Sequence, residues 1–141
     1  MIQKIGFIAY YISIILVILF GGLYMFKPSF MPYHAQIVHL NWEQIPHSEQ
    51  ILVRALMIAV GGVTISVGII LAMLVFKYRK TGHQWISSYV MIYGIIASLL
   101  ITIAPIYVVI NSDSVPPLYF PVIIIALLIT GNRLTRLKNI Q

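Results

Sequence analysis

The sequence predicts an all-α integral membrane protein: an antiparallel four-helix transmembrane bundle, capped on its outer side by a partly helical loop. Three observations carry this. First, the chain of 141 residues is 60% hydrophobic and only 9% charged, with a mean hydropathy of +0.97, far outside the composition of soluble globular domains. Second, its apolar residues gather into four runs near the roughly 20 residues that cross a bilayer as a helix. Third, its basic residues sit in short clusters beside those runs, the arrangement that sets membrane orientation. At this length there is room for one domain, residues 1–141, with helices expected at 5–26, 51–76, 85–110 and 117–134 and an outer loop at 27–50.

The first run, Ile5 to Phe26, follows a short start that carries Lys4. It is long for a signal-peptide core and is followed by no small-residue cleavage pattern, so it reads as a retained first span. Gly21 and Gly22 near its end allow close helix approach or a bend. Pro28 and Pro32 then turn the chain. Between Tyr33 and Leu40 apolar and polar residues mix, as in a short interfacial helix or turn. Asn41 and Gln44 have the spacing of a capping box, Pro46 suits a first helical turn, and Ser48 is an alternative cap.

The second run, Ile51 to Phe76, places Ala55, Ala59, Gly62 and Ser66 on one face, which predicts a helix-packing seam. Lys77 to Gln84 reads as a basic hairpin turning at Gly82. The third run, Trp85 to Ile110, contains Pro105, expected to kink it. Asn111 to Pro117 is a polar turn with Asp113, and the fourth run, from Leu118, ends in a basic tail. Ser87 with Ser88, and Thr64 with Ser66, read as interhelical hydrogen-bonding residues.

If all four runs cross, Lys4, Lys77, Arg79, Lys80, Arg133, Arg136 and Lys138 lie on one side and only Lys27 and Arg54 on the other. The positive-inside rule then places both termini in the cytoplasm and the 27–50 loop outside. The net charge of +6 is accounted for by topology and contact with lipid headgroups, and no nucleic-acid module accompanies it. The absence of cysteine excludes disulfides, thiolate metal sites and dithiol redox chemistry. No carboxylate, histidine or lysine falls in the middle of a run, which argues against a proton-coupled exporter.

The outer loop holds three of the four histidines and two of the three carboxylates. It admits two functional readings. In the first, the protein is a non-enzymatic accessory subunit or a binder of a lipid or small apolar ligand. Its partners are membrane lipids, other membrane subunits or a second copy, and its outward pocket is lined by His34, Trp42, Glu43 and Arg54. Arg54, about 5 Å into its span, can snorkel to a headgroup or pair with a carboxylate. In the alternative reading, a metal-binding protein or enzyme, His34, His39, Glu43 and His47 supply imidazole and carboxylate ligands suited to zinc or another divalent metal. The four-residue spacing of His39, Glu43 and His47 is interrupted by Pro46. No cofactor is otherwise indicated, and no nucleophile–base pair is present.

Phe30, Pro32, Tyr33, His34, Trp42, Glu43, Pro46, Gln50, Leu52, Arg54, Gly61 and Gly62 form a pattern that resembles a group of small four-helix bacterial membrane proteins of unknown function. The likeness covers the first half of the chain and departs from the pattern at Ile45, where a capping Asp or Ser is expected. In layout alone the chain is also similar to DoxX-like four-helix proteins. The resemblance implies a bacterial cytoplasmic membrane location and brings no reaction with it.

Overall fold

A computed structural model describes residues 1–137; Lys138, counted above with the basic tail, lies outside them. The described chain is all-helical. Helix α1 spans Ile2–Phe26, α2 Pro32–Val38, α3 His47–Thr81, α4 Gln84–Asn111 and α5 Tyr119–Arg136, with a single 3-10 turn at Trp42–Gln44. Three of these helices, α1, α3 and α4, are long and apolar enough to cross a membrane. Helix α5 is continuously apolar only in its first two thirds, because Asn132, Arg133, Thr135 and Arg136 occupy its last turns.

The local rules that start and stop these helices are visible in the loops. Pro32 begins α2 in the first helical turn, where its missing N–H costs nothing. His39 ends α2 in the left-handed region (φ 53°). The Asn41 N–H donates to Gln44 Oε1 at 2.8 Å, forming the expected capping box. Pro46 stands one residue outside α3, and its carbonyl accepts the N–H groups of Glu49 (2.9 Å) and Gln50 (3.1 Å). Neither Pro46 nor Ser48 therefore plays the part expected of it.

Helix α3 is longer than its apolar run at both ends. The basic residues Lys77, Arg79 and Lys80 continue the helix, being good helix formers placed favourably at its C-terminal dipole. The expected hairpin shrinks to Gly82 and His83, with Gly82 in the left-handed conformation (φ 68°) that glycine adopts most cheaply. Helix α4 continues through Pro105 to Asn111.

Helix α1 packs on α3 and α5, and α4 packs on α5 and α3. The α1–α3 contact includes a close backbone approach at two glycines. A Cβ on Gly61 would come within 2.6 Å of the Gly21 carbonyl oxygen, so the two backbones meet there without side chains between them. The expected seam is thus displaced around α3. Ala55, Ala59 and Ser66 point away from the packed face and Gly62 has open space beside it, while Met57, Gly61, Thr64 and Gly68 face inward.

Exposure elsewhere is inverted relative to a soluble protein. Ile8, Ile15, Leu19 and Leu23 on α1 are 54–59% exposed, whereas Ser13, Ser87, Asn132 and Thr135 are buried. An apolar exterior of this extent requires an apolar surrounding.

Candidate functional site

The two ends of the bundle are built from different materials. The hairpin end, near Gly82, is closed by a polar network. Tyr10 of α1 hydrogen-bonds through its hydroxyl to Ser87 Oγ of α4 at 2.8 Å. Ser87 Oγ donates to Asn132 Oδ1 of α5 at 2.9 Å. The Tyr78 hydroxyl of α3 donates to the Thr135 carbonyl at 3.2 Å, so all four long helices are tied together. Arg136 donates to Ser88 Oγ and, at 3.1 Å, to the Gln84 carbonyl. Ser87 and Ser88 are interhelical, as the sequence led us to expect. Thr64 and Ser66 bond instead to Val60 and Gly62 carbonyls one turn back in their own helix.

The loop end is packed with aromatic rings around empty space. A partly enclosed, almost wholly apolar cavity of about 50 Å³ lies between α1, α3, α4 and α5. The hydroxyl-bearing residues in its lining are Tyr24, Tyr33, Thr64, Ser98 and Thr102. A more open groove of about 240 Å³ runs between the end of α1, helix α2 and the start of α5. The two hollows share Phe20, Tyr24, Tyr33, Pro117 and Phe120, which therefore form the neck between them. Ring contacts fix this neck: Phe20 lies 4.9 Å from Tyr24 and 5.6 Å from Phe120, centroid to centroid. The Tyr24 and Tyr33 hydroxyls are hydrogen-bonded to each other. Helix α2 is held over the groove by Gln36, whose Oε1 accepts the Val115 N–H at 3.4 Å.

Pro105 and Ile101 also line the cavity. Proline has no N–H to give the carbonyl four residues earlier, so the Ile101 carbonyl lacks its usual helical donor.

The residues that sequence reasoning put forward occupy the rim of this end, and none of His34, Trp42, Glu43 and Arg54 lines either hollow. His34 accepts the Met31 N–H on Nδ1 at 3.3 Å, capping α2, with the Tyr33 ring 4.2 Å away. Burial holds its imidazole below the ordinary histidine range. Trp42 stands edge-on to Phe30 at 5.2 Å, in a small core with Tyr24, Ile45 and Met57. Glu43 is exposed. Arg54 donates to the backbone carbonyls of Lys27 and, at 3.4 Å, Met25, closing the C-terminus of α1 rather than pairing with a carboxylate. Gln50 does similar work for the loop, donating to the Trp42 carbonyl at 2.8 Å and the Ile45 carbonyl at 3.1 Å.

The metal-ligand expectation meets the same geometry. His39, Glu43 and His47 are exposed on separate turns. Among the described residues no three His, Asp or Glu side chains are gathered so as to hold a metal ion. No family model, no curated protein and no solved structure matches this chain, so its own geometry carries the functional argument.

Proposed function

We propose that the chain is a small four-span protein of the bacterial cytoplasmic membrane, with both termini cytoplasmic. It acts without catalysis, as a binder of a small, largely apolar ligand that enters from the outer leaflet. The observation that carries this reading is the hollow at the loop end. It is apolar, has a neck of aromatic side chains, and opens beside Leu23, which is 59% exposed on the outer face of α1. A ligand dissolved in the membrane meets that opening directly, and concave apolar space with a few convergent polar groups is the usual form of a small-molecule site.

Several features support α5 as the fourth span. Its 18 residues extend about 27 Å at 1.5 Å per residue, close to the hydrocarbon thickness of about 30 Å. Its polar Asn132 and Thr135 are buried against the other helices and so need not face lipid. The basic residues around Gly82 and at the end of α5 favour the cytoplasm for that end.

Photoaffinity labelling tests the reading. An alkyl diazirine with a dodecyl chain, added to membranes that contain the protein, is expected to label the neck and cavity peptides saturably. Ala97→Phe, which fills the cavity wall, should abolish that saturable labelling. Labelling that is non-saturable and spread over the exposed α1 face would overturn the proposal.

A second reading, contact with another subunit or a second copy, is favoured by one observation: the small residues Ala55, Ala59 and Ser66 of α3 lie off its packed face, a surface on which helices approach closely.

A further inference from the structure

The hydroxyl pair at the neck narrows the class of ligand, and this inference rests on the binding reading above. Two phenols have two protons, and the hydrogen bond between Tyr24 and Tyr33 uses one of them. Among the described residues neither hydroxyl makes another hydrogen bond, so the second proton is available to an acceptor in the hollow. The other polar side chain on the groove side is the amide of Gln36. The Thr64 and Thr102 hydroxyls deeper in are already donated to carbonyls of their own helices, at 2.7 Å and 2.6 Å. Ser98 lines the inner cavity and not the groove. The Tyr24–Tyr33 pair is thus the hydroxyl donor at the neck itself.

Charge limits the ligand further. Among the described residues, no Lys, Arg, His, Asp or Glu lines either hollow. A carboxylate or ammonium drawn into this space would lose its hydration without gaining a counter-charge, a strongly unfavourable exchange. Volume limits it too, since the inner cavity of about 50 Å³ has room for the end of a slender chain, the rest of which must lie in the groove, and not for a fused ring system.

We propose that the site takes a neutral, chain-bearing carbonyl compound, its chain in the apolar cavity and groove and its carbonyl oxygen accepting a hydrogen bond from the Tyr24–Tyr33 hydroxyl pair. Burial pushes the Tyr33 hydroxyl above the ordinary phenol range, which keeps the pair protonated as a donor at neutral pH.

Three probes of equal chain length test this: 2-dodecanone, dodecane and dodecanoate, each added to the purified full-length protein in lipid nanodiscs. Affinity is read from the rise in melting temperature, and the hydrogen bond from the infrared carbonyl stretch of the isotope-labelled ketone. The ketone should bind more tightly than the alkane by roughly three- to tenfold, the worth of one neutral hydrogen bond, with dodecanoate the weakest at mildly alkaline pH. A red-shifted carbonyl band should mark the bound ketone. The double variant Tyr24→Phe/Tyr33→Phe should lose that band and the ketone's advantage while binding dodecane as before, a pattern that a merely structural role for the pair does not produce. Equal binding of ketone and dodecane, with no shifted band, would overturn the carbonyl assignment and leave the apolar site standing. Binding of neither would overturn the site itself, and preference for dodecanoate would overturn the neutrality argument.

Discussion

The hairpin end and the loop end use the same four helices to opposite effect. At the hairpin end, Tyr10, Tyr78, Ser87, Asn132 and Thr135 satisfy one another's hydrogen bonds, and side chains fill the space between backbones. At the loop end α1 and α3 still touch at Gly21 and Gly61, but tyrosine, phenylalanine and proline side chains line a void beside that contact. Small polar residues let helices close on each other, and in lipid their hydrogen bonds add to the packing. Bulky rings and prolines leave irregular gaps. One end of the molecule is therefore a clamp and the other a receptacle, and the receptacle is where a ligand can be accommodated without unmaking the bundle.

The clamp can be broken severely at Gly131. A Cβ there would lie 2.7 Å from the Tyr10 ring, so Gly131→Val should destabilise the protein by about 1–3 kcal/mol or more through overpacking, measured as reversible unfolding in mixed micelles. The equivalent insult away from the packed faces, Gly62→Val, meets open space and should cost far less. A smaller effect is expected at the receptacle's rim. Arg54→Gln removes the charged donor that closes α1 at Met25 and Lys27; because Arg54 is only partly buried, a loss of about 1 kcal/mol is the expected scale. Glu43→Gln and Asp113→Asn should leave that loss unchanged, since no carboxylate takes part in it.

The smallest effect is a pH dependence at the rim. The folded imidazole of His34 is held below its ordinary value of 6.5, so the unfolded chain binds more protons than the folded one just below that pH. The contribution of His34 to stability is fully present above about pH 6.5 and is lost as pH falls through the depressed folded value. Protonation would also remove the Nδ1 acceptor that caps α2. Melting temperature should therefore fall on acidification below about pH 6.5, and His34→Asn should flatten that part of the profile.

Much of the scaffold is legible in the sequence because apolar length and turn chemistry are local. The three longest runs become α1, α3 and α4, Gly82 turns the hairpin, and Asn41 and Gln44 form their box. Where the reading fails, two local signals compete. Lys77 to Lys80 look like a loop by hydropathy and like a helix by propensity, and propensity prevails. On α3, small residues occur on adjacent faces, so composition alone does not say whether Gly62 or Gly61 turns inward; the Gly21 backbone decides for Gly61.

The site is hidden from sequence reading for a different reason. Its lining comes from five helices and a turn, and consists of Tyr24, Tyr33, Phe120, Thr102 and similar residues that carry no motif. The eye-catching polar residues of the loop are spent on backbone caps and solvent. The available signal is the density of tyrosine and proline where the runs meet the loops: Tyr24, Pro28, Pro32, Tyr33, Pro116, Pro117 and Tyr119.

The contrast between clamp and receptacle is tested most directly by native mass spectrometry of the protein released from mild detergent, compared with Ala97→Phe at the receptacle and Asn132→Leu at the clamp. The account predicts that a neutral apolar adduct, co-purified or supplied as 2-dodecanone, stays on the unaltered protein and on Asn132→Leu and is absent from Ala97→Phe. Retention of the adduct by Ala97→Phe, or its loss only from Asn132→Leu, would place binding away from the hollow and contradict the account.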